Sequence, residues 1–235
     1  CILSDCMKNF NERMSVYVIN CDVNKDRFAK FKRYAKIGLS KGLTGKEVAE
    51  LMLRDNQIYD VNVVSVQGRL TDHYNPADKT VNLSPDVYAG NSVMSAAVAA
   101  HECGHAIQHA KAYAPLQMRS TLVPIQNASG RVINFLFMAM LIGSFALGMF
   151  PWEYAIPVIV GCYFIFTLFA FITLPVEYDA SKRALAWIDE RNIVTGEEHE
   201  MAKDALNAAA RTYLVAALGS LAMLIYYASM MVGGD

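Results

Sequence analysis

Three stretches of this chain carry no Asp, Glu, Lys, Arg or His: residues 132–152, 154–176 and 212–234. Each is about 20 residues or longer, the length at which a helix crosses ~30 Å of hydrocarbon. Deeply buried core helices are the alternative, but three such runs in 235 residues favour a membrane chain. The first two runs are separated by a single charged residue, Glu153. They are therefore expected to form a tight helical hairpin that returns the chain to the side it left. The apolar share of 54% is high for a soluble protein and is concentrated in these runs.

A net charge of −1 gives no electrostatic footprint for nucleic acid. Cysteines stand at 1, 6, 21, 103 and 162, an odd number without a C-x-x-C pair, so no disulfide framework is expected and a reducing compartment fits. The first residue is Cys rather than Met. That reads as a truncated start in preference to a processed lipoprotein, and no signal peptide is recognisable.

Outside the apolar runs the chain reads as a small α+β unit. Residues 26–42 are basic and aromatic, either an amphipathic helix on anionic lipid or a solvated helix face. Thr44-Gly-Lys-Glu47 is a capping box, predicting a helix over 44–55. Residues 60–67 alternate and are rich in Val, and 79–83 form a second short strand across an Asn75-Pro76 turn. A hairpin or small sheet is expected, with 79–83 as an edge able to pair with an extended substrate. Ser84-Pro85 reads as a helix start, and Asn91-Ser92 can cap a helix over about 92–111. Thr195-Gly-Glu-Glu198 is another capping box, opening a helix that begins polar and ends apolar near 231.

The helix expected over 92–111 contains His101-Glu-Cys-Gly-His105, an H-E-x-x-H run. Imidazoles four residues apart lie about 6 Å apart along the axis and about 40° around it, so both reach one zinc at about 2.0–2.1 Å. Glu102 projects beside the metal without ligating it, placed to take a proton from an attacking water and hand it to a leaving amine. Cys103 turns about 200° away from His101 and reads as packing. His109 extends the run but lies about 12 Å along the axis from His101, too far for one ion.

A catalytic zinc of this kind needs a third protein ligand. The hairpin returns the chain beside the motif at Pro175-Val-Glu177-Tyr-Asp179-Ala-Ser181, so Glu177 is the expected third ligand and Asp179 its rival. Ser181, four residues on, shares the face of Glu177 and could fix the tautomer of a ligand imidazole. His73 or Tyr74, placed on the loop between the strands, could donate to a developing oxyanion; the plainer reading makes both turn residues. The zinc should then lie close to the membrane surface.

These residues resemble a known family. Gly42-Leu-Thr44-Gly, Leu70-Thr-Asp-His73-Tyr-Asn-Pro, Ala99-Ala-His-Glu-Cys-Gly-His-Ala-Ile-Gln108, Tyr113-Ala-Pro and Leu174-Pro-Val-Glu-Tyr-Asp-Ala-Ser181 look like the bacterial membrane-bound neutral zinc metallopeptidases, over about residues 26–232. More distantly the chain is similar to membrane gluzincins of the heat-shock membrane protease and prenyl-protein endopeptidase type. The resemblance implies Glu177 as third ligand, with Ser181 standing where an Asp would orient a ligand. It also implies an apolar anchor helix before the basic segment, which residues 1–25 do not read as.

The expected fold is mainly α and integral to the membrane, with transmembrane helices and a small α+β zincin-like catalytic domain. The expected division is an N-terminal segment and catalytic domain to 131, a transmembrane hairpin over 132–176, a third-ligand helix and soluble helical segment over 177–211, and a last transmembrane helix over 212–235. The expected activity is zinc-dependent hydrolysis of peptide bonds in membrane or membrane-proximal proteins. The alternatives are a non-catalytic zinc scaffold and a zinc hydrolase of a non-peptide membrane substrate. Arg131, Lys182, Arg183 and Arg211 flank the apolar runs on one side, so that side is expected to be cytoplasmic in a multi-pass protein of the cell membrane. The lipid bilayer and a protein or peptide at its surface are the expected partners.

Overall fold

The computed structural model describes residues 22–147 and 152–232. The expectations for residues 1–21, for the apex of the hairpin at 148–151 and for the last three residues fall outside them. The chain is mostly helical, with one small sheet.

Helix α1 runs through residue 34 and α2 spans Gly45–Asp55. The basic segment is not free on every face: Lys30 Nζ and Tyr34 Oη each donate to Asp204 at 2.8 Å. Thr44 caps α2 with both halves of the capping box in place.

Of the two alternatives expected for this region, the small sheet is present and the hairpin of 60–67 with 79–83 is not. Strands β1 (Asn62–Ser65) and β3 (Thr80–Leu83) do pair, but in parallel, and a third strand β2 (His73–Asn75) runs antiparallel on the other side of β3. The loop 66–72 reverses the chain through Gly68 at φ 117° and Leu70 at φ 59°. Only glycine adopts the former readily. The segment 79–83 is thus the central strand, with Val81 and Leu83 fully buried, and it has no free edge for a substrate. His73 and Tyr74 lie in edge strand β2 rather than in a loop.

A single turn, α3 (Pro85–Tyr88), leads into α4 (Val93–Ala110), capped by the Ser92 side chain on the Ser95 amide. Ser84 does not cap α3 with its side chain; its hydroxyl and amide go to Asp72. Helix α4 is buried nearly all round, and its alanines let α2, the sheet and the later helices close on it. Val48, Met52, Val81, Leu83, Val93 and Ile188 are central to the core around it.

Helices α5 (Ala114–Leu147), α6 (Trp152–Glu190) and α7 (Gly196–Val232) are long and apolar enough to cross a membrane. Their outer faces are bare: Phe135 is 73% exposed and Ile225 60%. A soluble protein does not leave such continuous apolar faces uncovered. The first span begins before the uncharged run at 132, and the second does not stop at 176. Helix α6 continues unbroken through Glu177 to Glu190, so the hairpin arm and the third-ligand helix are one rod. Pro157 and Pro175 lie inside it, as membrane helices tolerate. The stacked rings of Tyr163 and Tyr227 join α6 to α7.

Candidate metal centre and active site

Helix α4 delivers His101, Glu102 and His105, and α6 delivers Glu177 and Ser181. The two helices approach at Gly104, where a Cβ would meet the Ala180 carbonyl oxygen at 2.6 Å. Any side chain at this position would push the helices apart. The glycine inside the motif therefore sets how far Glu177 must reach to the imidazoles.

One ligand atom from each of His101, His105 and Glu177 lies within 4.8 Å of the others. Glu177 Oε2 is 3.4 Å from His101 Nε2 and 3.7 Å from His105 Nε2. His109 is not among them; its Nδ1 is 2.8 Å from the Tyr74 hydroxyl. Cys103 is buried on the opposite side of α4, with Sγ 3.6 Å from the Ala49 carbonyl, and burial pushes its thiol pKa up.

The outer nitrogens of both rings are engaged. Ser181 Oγ lies 3.1 Å from His101 Nδ1. Gln108 Oε1 lies 3.0 Å from His105 Nδ1, while Gln108 Nε2 donates at 2.8 Å to both the Val176 carbonyl and Asp179 Oδ2. With both amide protons committed, the oxygen is what remains for the ring, so His105 Nδ1 carries the hydrogen and Nε2 a lone pair. Asp179, the rival ligand, instead accepts from Gln108 and from Arg183 Nε at 2.6 Å. It supports the ring through Gln108.

This donor set fits a divalent cation. Two imidazole nitrogens and a carboxylate oxygen converge, the composition of a three-ligand zinc site. Glu177 is 3% and Glu102 9% exposed, and the Arg119 guanidinium lies 3.1 Å from Glu177 Oε1. Two buried carboxylates facing one cation leave a local negative excess. His105 reports the same field: burial pulls its pKa down, but the Glu177 hydrogen bond and the Glu102 charge outweigh this and raise it.

Glu102 stands apart from the three. Its Oε2 accepts the main-chain N–H of Tyr74 at 3.0 Å, which fixes the carboxylate against strand β2. His73 lines a cleft beside the site, but its Nδ1 is 2.7 Å from the Thr71 carbonyl. That leaves Nε2 without a hydrogen in the neutral ring, so His73 donates toward the cleft only as a cation.

Two clefts, of 190 and 270 Å³, meet at the cluster, and His101, Glu102, Glu177, Asp72 and Tyr213 line both. Sequence reasoning did not find Gln108, Arg119 or Tyr213. Gln108 follows His105 by three residues on one helix face, which was a usable signal. Tyr213 sits at the head of an apolar run and reads as a lipid-facing residue.

The chain is 39% identical over 210 residues to the Putative membrane protease YugP of Bacillus subtilis (strain 168), covering 88% of each protein. No solved structure matches it. Residues 14–232 match the family described as "Putative neutral zinc metallopeptidase", and the chain belongs to that family.

Proposed function

We propose that the protein is a membrane-embedded, zinc-dependent endopeptidase acting on membrane or membrane-proximal polypeptides. The observation that carries this is the division of labour on two helices. Three donors converge, and the fourth polar group, Glu102, stands beside them with a carboxylate held in place. A structural zinc usually takes four protein ligands and has no use for such a residue.

His101, His105 and Glu177 would hold the ion, with Ser181 and Gln108 setting the tautomers of the two rings. Zinc held there supplies a Lewis acid that lowers the pKa of water toward ~7 and polarises a carbonyl. Glu102 accepts the proton of the attacking water and passes it to the leaving nitrogen. Tyr213, which lines both clefts along with Glu102 and Glu177, is a donor available to the oxyanion, and His73 serves only when protonated. Strand β2 offers the free edge nearest Glu102 for an extended substrate.

The name of the B. subtilis relative, a membrane protease, supports the same reading. Arg131, Lys182, Arg183 and Arg211 favour a multi-pass protein of the cell membrane with the site on the cytoplasmic side.

Zinc content and cleavage of a peptide library, measured on the parent and on Glu102→Gln, test the proposal. The parent is expected to bind one zinc and cleave. Glu102→Gln is expected to keep the metal and lose at least about a hundredfold in rate. A variant that cleaves as fast as the parent would remove Glu102 from the chemistry. Zinc binding without peptide cleavage in the parent would favour a scaffold or a non-peptide substrate.

A further inference from the structure

Two clefts meet at the metal cluster, and each is lined by both polar and apolar side chains. Away from the cluster the larger is lined by Arg119, Ser120 and His73 together with Leu116, Val123 and Pro76. The smaller, of 190 Å³, is bounded by Phe31 of α1, Met94 and Val98 of α4 and Leu206 and Ala209 of α7, and also by His101, Glu102 and Glu177 of the cluster. On α7 the lining positions are 205, 206, 209, 210 and 213, one face of a helix. Three of the five are alanines, and their small side chains leave the space that larger ones would fill.

We infer that this smaller cleft is the specificity pocket of the site and takes one large apolar side chain next to the bond to be cut, with Ala209 and Val98 setting its depth. The inference rests on the peptidase reading above. An apolar cavity of about 150 Å³ holds a benzene molecule. A volume of 190 Å³ therefore suits a leucine, methionine or phenylalanine side chain. Desolvating such a side chain favours it over glycine by about ten- to a hundredfold. The cleft is continuous with Glu102 and the ligand set, so a side chain seated in it belongs to a residue adjoining the scissile bond. Arg27 also lines the cleft and has no ion-pair partner among the described residues. A preference for acidic side chains is the competing outcome.

The test uses the full chain, zinc-loaded in lipid nanodiscs, with a degenerate peptide mixture and cleavage sites read by mass spectrometry. The parent is expected to enrich Leu, Met or Phe at one position beside the cut about ten- to a hundredfold over Gly and Asp. Ala209→Phe fills the cleft and is expected to shift that position at least tenfold toward Gly and Ala. Val98→Ala deepens the cleft and is expected to shift it toward Trp, which keeps the test open should Ala209→Phe fail to fold. A parent without side-chain preference, a parent preferring acids at that position, or folded variants with the parent's profile would each overturn the pocket. A parent that binds zinc yet cuts no peptide fails the peptidase reading itself and takes the pocket with it.

Discussion

Gln108 holds the ring of His105 through one amide, and that arrangement has a measurable weight. Its two N–H groups are spent on Val176 and Asp179, so its oxygen has one role, accepting from His105 Nδ1. Gln108→Leu keeps the volume and removes this lock. Zinc affinity, measured by competition with a chelator, is expected to weaken about 10–100-fold; an unchanged affinity would show that packing alone orients the ring. The H-E-x-x-H residues were legible in the sequence because helical spacing alone decides what they can do together. Glu177 was legible through topology, since a hairpin must return to its starting side. Arg119 was not, because its partner lies 58 residues away, and for Gln108 only the spacing from His105 was readable, not the partners 68 and 71 residues away.

Among elements, the crossing of α4 and α6 decides whether the residues meet. Gly104 meets backbone rather than a flexible side chain, so the neighbour cannot give way. Gly104→Val is expected to part the helices, destabilise the protein by about 1–3 kcal/mol and lower zinc affinity together with Tm. A Tm drop with unchanged zinc affinity would place the strain elsewhere. A second clasp ties α2 to the C-terminal end of α6. Asp55 accepts from Trp187 Nε1 at 2.9 Å and, with its two oxygens, from Nε and Nη2 on one edge of the Arg191 guanidinium. Arg191 and, against the burial cost, Trp187 hold the Asp55 carboxyl below the usual range. A depressed native pKa stabilises the fold above the unfolded value, about 3.9, and the contribution is lost as pH falls through the native value. The Tm difference between parent and Asp55→Asn is therefore expected to be constant above about pH 5 and to close below about pH 4. A difference that persisted into acid would assign the clasp to shape rather than charge. The capping boxes were readable because their partners lie three residues apart. The parallel β1–β3 pairing was not, because the reversal at Gly68 and the third strand depend on what β3 must bury on both flanks.

The whole molecule is a small α+β unit joined to three long apolar helices, and its orientation in a bilayer is open to direct measurement. In sealed inside-out vesicles, a protease added outside is expected to digest the α2–α4 region. In right-side-out vesicles that region is expected to survive until detergent is added. The opposite pattern would reverse the assignment. Helix α6 also has a bearing on how the protein can vary. It runs from Trp152 to Glu190 without a break, so the same rod that is long and apolar enough to cross a membrane carries the Glu177 carboxylate to the two imidazoles. Adding or deleting one residue between the apex and Glu177 would displace that carboxylate by about 1.5 Å and swing it about 100° around the axis. The apolar arm can thus change its composition freely but not its count: it works as a ruler whose graduations are turns of helix.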